Sequence, residues 1–190
     1  LFGAAGGRSS LWRNRGDWRF EDITEKAFPQ RLQSLGGDVT GVAAADLNGD
    51  GRPDLVVNTH ADGVRILMND GQGSFRVRPF PQVSARGGHS LALADVDGDG
   101  WIDVYVCNYR QKALMDMPNA RATFRREGER TVVATIDGRP TSNPDLNHRF
   151  EVNASGGIEE LGEPDVLYRN DRGTGWVTVP WTQGAFLDAA

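Results

Sequence analysis

Two short segments of the chain concentrate oxygen-bearing side chains at a fixed spacing. Residues 46–54 and 95–103 both read D-x-(N/D)-G-D-G-x-x-D. The alternating acidic residues place oxygen atoms on one side of a tight loop, and glycine permits the positive φ with which a backbone wraps an ion. Each loop reaches six or more oxygens if water joins. This donor set favours Ca²⁺, because Mg²⁺ keeps more of its water.

The predicted metal ligands are oxygen atoms of side chains and of one backbone carbonyl in each loop. In the first loop they are the side chains of Asp46, Asn48, Asp50 and Asp54 and the carbonyl of Arg52. In the second they are the side chains of Asp95, Asp97, Asp99 and Asp103 and the carbonyl of Trp101. Two carboxylates 4 Å apart repel by roughly 1 kcal/mol in water, and by about four times that near a protein surface. We therefore expect a metal-free loop to be strained.

An EF-hand begins with the same spacing, but the flanks of these loops argue against one. Its twelfth position requires a bidentate glutamate, whereas Val57 and Val106 stand there. Its flanking segments are helical, whereas the flanks here, Ala43-Ala44-Ala45 aside, carry β-branched residues such as Val56 and Val104 and are typical of strands. An Asp/Gly-rich turn without metal is the other alternative, and two copies in register argue against it.

Sequence repeats indicate how the loops are positioned. Residues 41–58 align without gaps with the segment that begins 49 residues later, and each copy predicts a strand, a loop and a second strand. A second element has an aliphatic residue, Asn at +3 and an aromatic residue at +9, with glycine between the last two, which is a hairpin signal. Its copies are Leu11/Asn14/Phe20, Ile66/Asn69/Phe75 and Leu167/Asn170/Trp176. Four short strands per unit of about 50 residues predict a β-propeller blade.

The predicted fold is therefore all-β, with propeller blades of four antiparallel strands. Residues 11–24 are predicted to be the last strands of one blade, 41–80 a blade with the first loop, and 89–179 a blade with the second. The last of these carries an insertion at about 110–165, with two predicted hairpins. Propellers close with about 4–8 blades. Residues 1–190 are therefore predicted to be a partial propeller and a fragment of a longer protein.

Composition excludes several classes of function. The chain has 190 residues, 38% of them hydrophobic, and a net charge of −5. A mildly acidic chain without a basic run is not expected to bind nucleic acid. No stretch approaches the roughly 20 apolar residues that cross a membrane, so no transmembrane segment is predicted. Cys107 is the single cysteine, which excludes an internal disulfide, and its predicted strand makes it an inert core thiol.

Other groups could do chemistry, but structural roles explain them more simply. The three histidines lack a partner at ligand spacing, and Trp176 occupies the repeat's aromatic position, which predicts packing rather than sugar stacking. Asn153-Ala154-Ser155 fits a glycosylation sequon. Paired carboxylates can hydrolyse glycosides, although a solvated loop is the simpler interpretation of the acidic cluster in the insertion. That cluster is Glu159, Glu160, Glu163 and Asp165.

The two aspartate loops between short strands resemble the VCBS/FG-GAP repeats of bacterial surface and secreted proteins, and integrin α-chain propellers use similar loops. The stretch from Leu167 to Trp176 resembles the second half of this repeat. The resemblance covers most of the chain outside the insertion. It implies a calcium-stabilised β-propeller, usually exported, that serves adhesion, carbohydrate binding or assembly.

We therefore expect a calcium-binding module of an extracellular, cell-surface or periplasmic protein. Its ligand is a protein or a carbohydrate, and the insertion is the best candidate for partner contact. Extracellular modules commonly bind Ca²⁺ with Kd values of about 10⁻⁴–10⁻³ M, which an external medium satisfies. The alternative is part of a propeller-based polysaccharide lyase or hydrolase that uses calcium structurally. The sequence offers no catalytic set for a central channel, which favours the binding module.

Overall fold

The computed structural model describes residues 9–28, 38–60, 62–81, 87–109, 114, 119–143, 146–147 and 149–179. The chain divides into two compact units. The first comprises residues 1–111 and 164–190, and the second comprises residues 112–163. Within the described residues the secondary structure is almost entirely β. No helix in this part of the chain has the length and apolarity needed to cross a membrane.

The first unit contains two four-stranded sheets, a hairpin and a single helical turn. Its elements are β1 (Trp12–Asn14), β2 (Phe20–Asp22), α1 (Thr24–Ala27), β3 (Val39–Ala45), β4 (Asp54–Thr59), β5 (Gly63–Asn69), β6 (Phe75–Arg78), β7 (Gly88–Ala94), β8 (Asp103–Asn108), β14 (Val166–Asp171) and β15 (Gly175–Val179). The second unit contains β9 (Ala122–Glu127), β10 (Arg130–Ile136), β11 (Arg139–Pro140), β12 (Phe150–Val152) and β13 (Ile158–Glu160).

The first sheet has the order β3-β4-β5-β6, and every neighbouring pair is antiparallel. Ala45, the last residue of β3, pairs with Asp54, the first residue of β4, so the first aspartate loop connects these two strands. All six residues of β4 are buried. Its Val-rich sequence fits a central strand that is covered on both faces.

The second sheet repeats this arrangement with the order β15-β14-β8-β7. Ala94 pairs with Asp103 across the second aspartate loop, as Ala45 pairs with Asp54 across the first. The strands β8 and β14 are neighbours although the whole second unit lies between them in the chain. The fold-class prediction is confirmed: the protein is built from four-stranded antiparallel blades, and the second blade carries a long insertion.

Two apolar clusters cover the faces of the first sheet. Alternation along β4 sends Val56 into one cluster and Leu55 and Val57 into the other. The first cluster joins the two sheets and contains Leu47, Val56, Val64, Ile66, Phe80, Val104, Val106, Val166 and Tyr168. The second cluster joins the first sheet to the N-terminal hairpin and α1 and contains Leu11, Ala27, Phe28, Leu55, Val57 and Leu67. The first sheet therefore packs against the second sheet on one face and against the N-terminal hairpin and α1 on the other.

The sequence has one helix candidate, from Glu25 to Leu35, which Pro29 interrupts. The structure has one short turn there, α1, which ends at Ala27. Pro29 and the rest of the candidate lie outside the described residues. Phe28 follows the turn, is buried and packs against Phe75 with ring centroids 5.9 Å apart. The turn therefore supplies apolar cover for the first sheet.

The second unit consists of two small sheets, of order β11-β10-β9 and β12-β13. Both hairpins expected in the insertion are present, as β10–β11 and β12–β13. The acidic cluster is not a solvated loop throughout. A guanidinium nitrogen of Arg149 lies 3.0 Å from Glu160 and another lies 3.5 Å from Glu163, and all three side chains are mostly buried. The expectation of a fully solvated cluster was wrong, because Arg149 compensates two of its charges.

Tyr168, in the first apolar cluster, makes the stability of the folded protein depend on pH. Its side chain is 1% exposed and packs on Phe80 with ring centroids 4.5 Å apart. Burial disfavours the phenolate and raises the pKa of Tyr168 from 10.0 to about 12. The resulting stabilisation is complete below pH 10 and is lost as the pH rises through about 12.

We therefore expect the free energy of unfolding to fall by about 2 kcal/mol between about pH 9 and pH 12, and to approach a full loss of about 3 kcal/mol only above pH 12, because the pKa shift is two units. Urea unfolding across this range measures the loss, and Tyr168→Phe is the matched control. That variant keeps the ring against Phe80 and should reduce the alkaline loss by this amount. An equal loss in both proteins would contradict the assignment.

Candidate metal centre

The first aspartate loop folds around the carboxylate of Asp46. Its Oδ1 accepts the backbone N–H groups of Gly49 at 2.8 Å and Asp50 at 3.1 Å, and its Oδ2 accepts that of Gly51 at 2.7 Å. Burial acts to raise the pKa of Asp46, but these N–H groups together outweigh it and lower the pKa below 3.8. Asp46 is therefore an ionised anchor that holds the loop backbone in a fixed curve.

Asn48 and Asp50 meet on the inner side of this loop. The amide Nδ2 of Asn48 donates to Oδ2 of Asp50 at 2.8 Å, and Asn48 Oδ1 accepts the backbone N–H of Asp50 at 3.1 Å. A guanidinium nitrogen of Arg52 lies 2.5 Å from the same Oδ2. Arg52 Nε also donates to the carbonyl of Asn69 at 3.2 Å, so its side chain ties the loop to the β5–β6 hairpin.

The second loop has the same backbone arrangement around Asp95. Its carboxylate accepts the N–H groups of Gly98 at 2.8 Å, Asp99 at 3.1 Å and Gly100 at 2.9 Å. Asp95, Asp97 and Asp99 are exposed, and one carboxylate oxygen from each lies within 4.8 Å of the others. Among the described residues, this is the only group of three or more acidic, histidine or cysteine side chains so arranged. One guanidinium contacts it, at 2.6 Å between Arg169 and Asp97.

The ninth residue of each loop, Asp54 or Asp103, is buried, in contrast to the exposed carboxylates of Asp95, Asp97 and Asp99. Asp54 is fully buried and accepts the N–H groups of Leu47 at 3.1 Å and Asn69 at 2.8 Å. Asp103 is 1% exposed and accepts those of Val96 at 3.0 Å and Asn170 at 2.8 Å. Each carboxylate therefore joins the start of its loop to the third strand of its sheet.

The buried position of Asp54 affects its titration. Desolvation is the largest influence and raises the pKa of Asp54 above 3.8, and the nearby charges of Asp50 and Asp46 act in the same direction. The two backbone N–H groups only partly offset this rise. A cation bound in the first loop would stabilise these three carboxylates together.

The asparagine of the second repeat element completes this arrangement. Asn69 donates from its amide to the carbonyl of Pro53 at 3.0 Å and accepts the N–H of Gly71 at 2.9 Å. Asn170 makes the same two kinds of bond, to Ile102 at 3.1 Å and from Gly173 at 2.8 Å. Asn170 also donates to the carbonyl of Leu47 at 2.9 Å. This additional bond joins the second sheet to the first loop.

Trp101 is half-buried between the first loop and the β14–β15 hairpin. A Cβ at Gly49 would lie 3.0 Å from its Cη2 atom, and a Cβ at Gly173 would lie 2.8 Å from its Cζ3 atom. Both glycines also have positive φ, at +76° and +72°. Glycine is therefore required at both positions for conformation and for space, and the Trp101 ring packs one loop against the neighbouring sheet.

The remaining candidates have structural surroundings. His89 faces Tyr109 with ring centroids 6.1 Å apart, and Trp176 packs on Phe80 at 5.1 Å. Cys107 is half-buried rather than fully buried, and burial together with the charge of Asp165 raises its thiol pKa. Sequence reasoning missed four contacts of the loops: the side chain of Arg52, the ion pair of Arg169, the position of Trp101 and the inter-sheet bond of Asn170. Only the asparagine carried a sequence signal, its fixed place in a repeated element.

The described residues fit a hard divalent cation. The exposed triad in the second loop brings three carboxylate oxygens together, and hard oxygen donors suit Ca²⁺. In the first loop an amide and two carboxylates occupy the corresponding positions, and a guanidinium contacts one carboxylate. The second loop therefore has the greater negative charge and the better fit.

Two aspartate loops, each joining the first two strands of a four-stranded antiparallel sheet, define a β-propeller repeat protein. The FG-GAP-like repeat family matches residues 1–57 and 48–106, which together cover more than half of the sequence. The chain belongs to the FG-GAP-like repeat family. It is also similar to human cartilage acidic protein 1, with 27% identity over 186 residues and 96% of this chain covered. The chain spans 24% of the length of that relative.

Proposed function

We propose that this chain is a calcium-stabilised β-propeller module of an exported protein, with one Ca²⁺ in each aspartate loop. The observation that carries the proposal is the convergence of Asp95, Asp97 and Asp99, whose carboxylate oxygens lie within 4.8 Å of one another. Like charges at this separation repel, and a bound cation converts the repulsion into attraction. The matching backbone geometry around Asp46 supports a second site in the first loop.

The proposed ligands are the ten groups that the two loop patterns predict. Asp54 and Asp103 each accept one backbone N–H per oxygen, and a carboxylate has about four lone-pair positions. Each therefore keeps lone pairs for a cation while it anchors the third strand. The second loop is proposed to bind more tightly, because it has four carboxylates where the first has three, and in each loop one carboxylate is paired with an arginine.

The module is proposed to mediate adhesion or to bind a carbohydrate or a protein, with the second unit as the contact. Residues 112–163 stand outside the repeat pattern, and long excursions from a compact fold commonly carry function. Repeats at residues 11–24, 41–80 and 89–179 are proposed as successive blades that present this unit. An exported location is proposed because millimolar Ca²⁺ outside cells matches sites of about 10⁻⁴–10⁻³ M affinity.

Metal content and a paired melting curve test the calcium proposal. In about 1 mM Ca²⁺, a site with a Kd of about 10⁻⁴ M adds roughly 1.4 kcal/mol to the stability of the folded state. We expect about two Ca²⁺ per chain, in line with the two loops, and a fall in Tm of several degrees in excess EDTA. A chain that binds no Ca²⁺, with a folded far-UV spectrum and an unchanged Tm in EDTA, would overturn the proposal.

Asp99→Asn identifies the tighter site. The substitution removes one of the three converging carboxylates and should abolish the higher-affinity Ca²⁺ while the first loop keeps its own. The control is Asp17→Asn, an exposed aspartate in the β1–β2 turn at φ +47°, a conformation that asparagine also tolerates. Isothermal titration should give the control the same stoichiometry as the unmodified chain. Two unchanged sites in Asp99→Asn would exclude this ligand assignment.

A further inference from the structure

The tip of the β12–β13 hairpin carries a feature that the calcium loops do not explain. Asn153-Ala154-Ser155 is the only Asn-x-Ser/Thr triplet in the sequence, although ten asparagines are present. Residues 153–157 connect the two strands and are all exposed. From this position we propose that Asn153 is the acceptor of an N-linked glycan.

The oxygen and the nitrogen of the Asn153 amide differ in their hydrogen bonds. Oδ1 accepts the Ser155 hydroxyl at 2.7 Å, the Ser155 N–H at 3.1 Å and the Gly157 N–H at 2.9 Å. Among the described residues, no acceptor takes a hydrogen bond from Nδ2. The oxygen is thus fixed by three donors of the turn, while the nitrogen that a glycan would occupy is left to solvent.

Glycine at position 157 leaves space beside this nitrogen. A Cβ there would lie 3.3 Å from Nδ2 of Asn153, closer than ordinary van der Waals contact. A cleft of about 580 Å³ also adjoins the asparagine, and its polar lining includes Arg130, Thr131 and Glu151. Sugar hydroxyls both donate and accept hydrogen bonds, so this lining suits the innermost sugar of a glycan.

The modification is a group transfer for which the donor is a polyprenyl-diphosphate-linked oligosaccharide and the catalyst is an oligosaccharyl transferase. Nδ2 of Asn153 forms a bond to the anomeric carbon of the first sugar. The bond from that carbon to the diphosphate oxygen breaks, and the lipid diphosphate leaves with the electron pair. The proton lost from Nδ2 passes to a base of the transferase.

Intact-mass analysis of the full chain, secreted with a leader peptide by cells that hold such a transferase, tests the proposal. We expect the mass of one oligosaccharide, removed by peptide N-glycosidase with aspartate left at position 153. Because the triplet is unique in the chain, Asn153→Gln should remove the added mass completely. A glycoprotein secreted by the same cells shows that the transferase is active.

A pair of variants at Ser155 tests the geometry as well as the motif. Ser155→Ala removes the hydroxyl that donates to Asn153 Oδ1 and should reduce occupancy at least tenfold, whereas Ser155→Thr keeps the donor and should retain occupancy. Equal far-UV spectra and equal urea unfolding midpoints in both variants show that they are folded. Secreted chain at its unmodified mass, beside a modified control glycoprotein, would overturn the proposal without bearing on the calcium sites.

Discussion

Asp103→Asn is expected to lower the free energy of unfolding by about 3–5 kcal/mol, in EDTA as well as in Ca²⁺. The carboxylate is 1% exposed and accepts two backbone N–H groups, one from Val96 and one from Asn170. Asparagine can accept only one of them, and its NH₂ group must then face the other N–H. A hydrogen bond to a charged group contributes about 1.5–3 kcal/mol, and an unsatisfied buried donor adds about 1–3 kcal/mol.

Urea unfolding midpoints, with and without metal, measure this effect. Asp54→Asn is the counterpart in the first sheet and should behave alike, since Asp54 makes the same two kinds of bond. Asp97→Asn is the matched control in the second loop because Asp97 is exposed and its ion pair with Arg169 is accessible to solvent, and it should change stability in EDTA by less than about 1 kcal/mol. A loss for Asp103→Asn that is confined to Ca²⁺ would show that Asp103 acts as a metal ligand alone.

The architecture could be predicted from the sequence because its signals are local and repeated. A strand, an aspartate loop and a second strand occur twice at an offset of 49, and the asparagine-to-aromatic hairpin occurs three times. Each signal depends on turn chemistry within about ten residues. The predicted order of a strand, a loop and a second strand is observed as Val39–Ala45, the first aspartate loop and Asp54–Thr59. An insertion was predictable because it interrupts a known period.

The different roles of the aspartates within each loop could not be predicted from their spacing. The motif does not distinguish its aspartates, so all of them were predicted to be metal ligands. That assignment stays a prediction. In the structure Asp95 accepts the loop's own N–H groups, and Asp97 and Asp99 are exposed beside it. Asp103 instead begins β8 and is buried against β14, 67 residues further along the chain. Burial of that kind depends on the packing of a distant strand, which the local motif does not encode.

Contacts between the sheets also could not be predicted from local sequence patterns. Trp101 was predicted to contribute a backbone carbonyl, and its ring packs against Gly49 and Gly173. The equivalent residue of the first loop, Arg52, lies beside Gly71 of its own sheet, as Trp101 lies beside Gly173 of its own, and the contact of Trp101 with Gly49 of the other loop is the difference. The two loops therefore share a sequence pattern but differ in what their seventh residue touches. This difference depends on which sheet lies beside each loop.

Asn170→Ala is expected to cost about 3–4 kcal/mol, well above the cost of the equivalent change at Asn69. Asn170 is 3% exposed, and its amide donates to the carbonyls of Leu47 and Ile102 while its oxygen accepts the N–H of Gly173. Alanine leaves two buried carbonyls and one N–H without these partners. Each unsatisfied buried group costs about 1–3 kcal/mol, with partial relief where water reaches it.

Asn69→Ala is the matched control for the bond between the sheets. Asn69 makes the two bonds within its own sheet, to Pro53 and from Gly71, and it is more exposed than Asn170. We expect this variant to lose about 1 kcal/mol, since solvent can replace both partners. The difference between the two variants, from urea unfolding in EDTA, gives the upper limit for the bond from Asn170 to Leu47. Equal losses would mean that this bond contributes nothing.

The bond from Asn170 should also affect calcium binding at a loop to which Asn170 does not belong. Leu47 follows the anchor Asp46, and its N–H and carbonyl are held by Asp54 and Asn170 respectively. Without Asn170, the carbonyl of Leu47 loses this partner while its N–H stays bonded to Asp54 and its side chain stays in the core. The peptide that follows Leu47 in the first loop then samples more conformations and must lose more entropy when the loop binds a cation. Asn170→Ala should therefore weaken the lower-affinity Ca²⁺ site several-fold. Asp17→Asn lies outside both loops, is the control and should leave this affinity unchanged. A first-loop affinity that is unchanged in Asn170→Ala would show that the loop is ordered by its own aspartates and independently of the neighbouring sheet.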